Sequence, residues 1–145
     1  MIQTDLTEGL RNWADGFATD RAAVELLITH QSWLTRADFL TTCVELLPTE
    51  ELFAPDRPIA VIDWETVTGF LTEGGLPAAS SDVAILSIAA SLGTGHPVDL
   101  RDALVGLDAT NTAAVATAVV TAAQADSRVT VTLAPRQTPD WLRKG

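Results

Sequence analysis

The sequence predicts a mainly α protein: a compact bundle of six or seven helices with a helix-turn-helix-like C-terminal half and room for a minor two-stranded β element. Three observations predict it. Apolar residues recur at helical spacing through most of residues 6–124 instead of alternating. Hydrophobic residues make up 47% of 145 residues, enough to bury a core at this length. Residues 80–133 run as helix, short helix, long helix and strand, the order of a winged helix-turn-helix unit. The length favours one domain. Residues 1–127 form a single helical domain in this reading, with a sub-boundary at 48–58, and residues 128–145 a C-terminal strand and basic tail.

Each element has its own signal. Asp5 and Glu8 stand at capping-box spacing before a helix over residues 6–17, where Leu6, Leu10, Trp13 and Phe17 fall on one stripe. Thr19 or Asp20 caps a second helix, AAVELLITHQ, whose apolar residues nearly encircle it and so predict central burial. A third helix starts near Thr35 and carries Phe39, Leu40, Cys43, Val44 and Leu47 until Pro48 stops it. PTEELFAPDRP, residues 48–58, reads as a loop. Residues 59–62 are a β-branched run expected as a short strand. Asp63 caps a helix through WETVTGFLTE that Gly74 and Gly75 end. Ser80 or Ser81 caps DVAILSIAASL, closed by Gly93; Asp99 caps LRDALVG; Asp108 caps ATNTAAVATAVVTAAQ. RVTVTLA alternates with period two and reads as a strand, paired with residues 59–62 or with a second chain. The tail PRQTPDWLRKG is expected to be extended.

Charge narrows the function classes. The chain has 19 acidic and 9 basic residues, a net charge of −10. Residues 1–127 hold 18 Asp/Glu against 5 Arg, or −13; residues 128–145 hold Arg128, Arg136, Arg143 and Lys144 against Asp140, or +3. An acidic body repels nucleic acid and anionic membranes. The helix that would enter a DNA groove offers only Asn111 and Gln124 for base edges, and from Asp102 to Ser127 there is no Lys or Arg. The layout therefore reads as a packing motif and not as a nucleic-acid site. Residues 109–125 form the longest uncharged run, 17 residues with four Thr, too short and polar for a membrane span. Residues 1–11 contain three charges and no apolar core, so no signal peptide is expected, and a cytoplasmic location follows as the default.

No catalytic, cofactor or metal motif appears. Cys43 is the only cysteine, which removes an intrachain disulfide, and its apolar setting marks it as a packed side chain. HExxH, HxH and cysteine pairs are absent, as are GxGxxG, the P-loop and GxSxG. His30 lies on an apolar flank and is expected as a buried, hydrogen-bonded histidine; with Trp33 and Asp15 it marks the one candidate pocket for a small ligand. His96 sits in a turn-rich link. Trp13 and Trp33 read as core, and Trp64 as a staple at a helix start. Glu50, Glu51 and Asp56 crowd the central loop as a solvated acidic face that would suit a basic partner. Trp141, set between Arg136 and Arg143, has little reason to be free in solution, and with Val129 and Val131 it marks the tail as the candidate for contact with its own domain or a second subunit.

The blocks WADGFATDRAAVELLITHQSWLTRADF, IDWETV and LPAASSDVAILSIAASLGTGHPVDLRDALVGLD resemble uncharacterised small acidic proteins of actinobacteria, over most of residues 6–124. The resemblance implies no activity and transfers no functional residue. The reading that results is a non-enzymatic protein–protein interaction module, meeting a protein partner or a second copy, with no cofactor. Two others stand beside it: a helix-turn-helix-derived regulator with weak or partner-dependent DNA binding, and a small-ligand binder or enzyme with a pocket near His30.

Overall fold

A central helix organises the computed structural model, which describes residues 3–48, 57–136 and 139–142. Helix α1 spans Gln3–Ala14, α2 Ala18–His30, α3 Ala37–Cys43, α4 Trp64–Glu73, α5 Ser80–Thr94, α6 Leu100–Val105 and α7 Ala109–Ala122. Strands β1 (Val44–Leu46) and β2 (Ala60–Ile62) form a two-stranded antiparallel sheet. The molecule is thus mainly α with a minor two-stranded element. Helix α2 buries Ala22, Ala23, Val24, Leu26 and Leu27, and α1, α5 and α7 all pack on it. One continuous core joins these residues to Leu6, Leu10, Trp33, Phe39, Val67, Ile85 and Leu86.

Local signals and tertiary packing agree where a cap or a glycine speaks. The Asp63, Asp99 and Asp108 carboxylates accept the backbone N–H of Thr66, Asp102 and Asn111, opening α4, α6 and α7. Gly74, with φ 81°, ends α4. Small residues are demanded where elements meet closely. A Cβ on Gly9 would lie 2.8 Å from the Ala60 backbone nitrogen, so α1 can sit on β2 only because Gly9 lacks one.

Several boundaries differ from those expected. The α1 stripe ends at Ala14, because Gly16 at φ 89° turns the chain. Phe17 leaves the stripe, takes the extended N-cap position of α2 and stands 63% exposed. Neither Thr19 nor Asp20 caps α2, which already begins at Ala18, and Trp13 is only half-buried. Helix α5 starts one residue after Ala79, and its end is set by Gly95 at φ 78°, not by Gly93.

The third helix is cut short. It stops at Cys43, and Val44, Glu45 and Leu46 pair with Ile62, Val61 and Ala60. Hydrogen bonds from Leu47 N to Ile59 O (2.9 Å) and Asp63 N to Cys43 O (2.8 Å) flank the ladder. Residues 129–133 pair with neither β1 nor β2 and form no strand. Val131 and Leu133 instead border a shallow groove between α2 and α7, opposite Thr29, Thr110 and Thr117. Helices α5, α6 and α7 follow in the expected order, but no strand that could serve as a wing follows them among the described residues. Helix α7 turns Ala114, Val115 and Ala118 into the core, and its cover is α2 of its own chain.

Candidate functional site

The C-terminus of α2 meets the first turns of α5 and α7, and polar side chains from all three converge there. His30 Nδ1 lies 2.9 Å from Asn111 Oδ1, and its Nε2 lies 3.0 Å from Asp82 Oδ1. The second contact is close but badly aligned, so Nε2 is left without a satisfactory hydrogen bond although the His30 side chain is only 4% exposed. Trp33 joins the same junction: its indole N–H donates to the Asp82 carbonyl oxygen at 2.8 Å. The Trp33 ring packs tilted against Phe39, with centroids 5.3 Å apart, and carries the Arg36 guanidinium 4.8 Å above it. Arg36 in turn donates to both Asp38 carboxylate oxygens and to the Pro77 carbonyl oxygen, tying α3 to the loop before α5. The hydrogen bonds from Arg36 hold the Asp38 carboxyl below the usual carboxylate range.

His30 and Trp33 are thus brought together, but Asp15 is not. Asp15 follows α1 at the start of α2, about 20 Å along a 13-residue helix from His30. It is largely exposed and sits 3.5 Å from Arg57. The imidazole faces the Asn111 amide and the Asp82 carboxylate, so this arrangement joins α2, α5 and α7. Among the described residues, no three His, Cys, Asp or Glu side chains cluster as metal ligands would. No helix among the described residues is long and apolar enough to cross a membrane.

The tail residues are open to solvent. Trp141 is 72% exposed in a single 3-10 turn, Asp140–Leu142, with Leu142 exposed beside it. Arg136 and Val129 are exposed and Val131 is half-buried. Trp141 does not dock on its own domain. Arg143, Glu50, Glu51 and Asp56 lie outside the described residues.

A second uncovered apolar surface was not legible in the sequence. Between α5 and α6 runs a groove of about 650 Å³, lined by Val83, Ala84, Val98 and Val105, with Asp99 and Asp102 on its rim. Val105 is 83% exposed, and Leu100 and Leu104 on the same short helix are exposed as well. The sequence shows four apolar residues in the six of LRDALV, more than one face of so short a helix can bury. That excess was the available signal. Only Ala103 of the four is covered, and which ones stay open depends on how α6 lies on α5.

Comparison with protein-family models, with curated proteins and with solved structures finds no match to this chain.

Proposed function

We propose that this chain is a non-enzymatic protein–protein interaction module that associates with a second copy of itself. One observation carries the reading: among the large apolar side chains left uncovered, four stand on α5–α6 (Val83, Leu100, Leu104, Val105) and two adjoin in the tail turn (Trp141, Leu142). Isolated exposed apolar residues are ordinary, but a clustered set rimmed by polar groups marks a contact surface. Charge supports the same reading, since residues 1–127 carry −13 and residues 128–145 +3, so opposite signs sit on parts of one chain. The polar junction at His30 supports a scaffolding role, because the His30–Asn111 and Trp33–Asp82 hydrogen bonds join separate elements. A cytoplasmic setting fits the single buried cysteine. Sedimentation velocity of the full chain over a hundredfold range of concentration tests the proposal. The expected result is a mass that rises with concentration to a multiple of the monomer, and a constant monomer mass removes self-association.

One observation favours a second reading. Helices α5, α6 and α7 follow one another as a helix-turn-helix unit does, α6 and α7 each with an aspartate cap. A regulator that reaches nucleic acid only through a partner would keep this layout without basic residues.

A further inference from the structure

We infer that the exposed Trp141–Leu142 turn of one chain docks in the α5–α6 groove of a second copy. The inference rests on the self-association reading and adds the two surfaces that meet. The groove and the turn are complementary in three respects. The groove is apolar along Val83, Ala84, Val98 and Val105 and has a volume of about 650 Å³, the size of site that takes a bulky side chain. The turn presents an indole and a leucine, the residue types that anchor interfaces when buried centrally. The groove rim carries Asp99 and Asp102, with only Arg101 opposing them on α6, while the turn is set among Arg136, Arg143 and Lys144 with only Asp140 opposing.

The path of the chain after α7 runs along α2 toward the end where α5 begins. After α7, Asp126 is held 3.4 Å from Arg21 near the start of α2. Val131 and Leu133 then border the groove between α2 and α7 that extends to Thr29 and Thr110, at the far end of α2. Asp82, beside His30 at that same end, stands in the first turn of α5 next to the groove. The single chain nevertheless leaves both Trp141 and Val105 uncovered, so its own turn is not the occupant. A second copy related by a twofold axis supplies one turn to each groove, and the contact closes on itself.

The test uses the full chain, its Trp141→Ser and Val105→Asp variants, and a fluorescein-labelled synthetic peptide of residues 134–145. Circular dichroism verifies that both variants fold, which is expected because both positions are exposed. Dimerisation of the unaltered chain should weaken about tenfold or more in either variant and should weaken with added salt. The peptide should bind the Trp141→Ser protein, whose groove is empty, and fail to bind the Val105→Asp protein. Should Val105→Asp not fold, Asp102→Lys keeps the apolar groove, reverses one rim charge and should reduce peptide binding severalfold. A dimer that persists unchanged in both variants overturns the tail-in-groove contact while leaving self-association standing. A full chain that stays monomeric while Trp141→Ser captures the peptide shows the turn serving its own groove, and overturns the second copy as occupant. A monomer that captures no peptide overturns both this contact and the self-association reading.

Discussion

Cys43 sits in the core at the junction of α3 and β1, with its Sγ 3.5 Å from the Thr42 hydroxyl oxygen. Burial pushes its thiol up, and Asp63 and Asp38 add to that rise while the Thr42 hydrogen bond opposes it. A thiolate is the reactive form, so a disulfide reagent should modify the native protein far more slowly than the denatured chain at neutral pH. Equal rates would show that the core opens freely there. Asp63 moves the other way. The Thr66 hydroxyl at 2.7 Å, then the Thr66 backbone N–H at 3.1 Å, hold its carboxyl below the ordinary value of 3.8. A carboxyl depressed in the folded state contributes stability that is fully present above its unfolded value and is lost as the pH falls through the folded one. Asp63→Asn keeps an N-cap acceptor but cannot titrate. Denaturant titrations of the two proteins should therefore differ by a constant amount at neutral pH and converge only below the ordinary carboxylate range; convergence beginning near neutrality would contradict the assignment. Asp63→Ala should lose about 1 kcal/mol, the usual worth of such a cap. These residue-scale facts were legible in the sequence, because a cap and a buried position in an apolar stripe depend on neighbours a few residues away.

At the scale of elements, close approach and buried polarity set the limits. A Cβ built on Gly93 would fall 2.4 Å from the Trp64 ring, so α4 and α5 meet through a glycine that terminates nothing. Gly93→Ala should force the indole away and lower stability by about 1–3 kcal/mol, measured by chemical denaturation; a neutral substitution would mean the ring has room to move. The junction of α2, α5 and α7 gives another measurable limit. Asn111→Leu leaves His30 Nδ1 buried without its partner, and unfolding should become easier by about 1–3 kcal/mol. Adding His30→Leu removes the orphaned ring nitrogens and should recover part of that loss, so the two changes should be non-additive. Additivity in the double variant would argue against the contact. Elements were less legible than residues. Val44, Glu45 and Leu46 continue the periodicity of α3 and would serve a helix as well as a strand. Their fate is decided by Ala60, Val61 and Ile62, at least 14 residues downstream, which offer a backbone edge. Residues 129–133 show the converse: their alternation suits a strand, but they pair with neither β1 nor β2.

For the whole molecule, charge and coverage decide what surfaces can do. Helix α7 is third in order in the C-terminal half, the place of a DNA-reading helix along the chain, yet Ala114, Val115 and Ala118 are buried, and α7 packs along α2. Of its two residues suited to base edges, Asn111 is held by His30, which leaves Gln124 past the helix end. Random duplex DNA should not be retarded by the full chain even at low ionic strength, since too few cations are present to release counterions; a salt-dependent shift would revive the regulator reading. By itself the sequence determined the helical class, the caps at Asp63, Asp99 and Asp108, the central burial of α2, the buried hydrogen-bonded His30 and the division of charge between body and tail. All of these follow from periodicity, local hydrogen bonding or counting, which act within a few residues or need no geometry. The tertiary structure alone decided that β1 and not the tail pairs with β2, that Asp15 stands apart from His30 and Trp33, and that Val83, Leu100, Leu104 and Val105 stay uncovered. Those outcomes depend on which distant backbone edge or helix face is reached first and fits, and no local pattern in the chain encodes that competition.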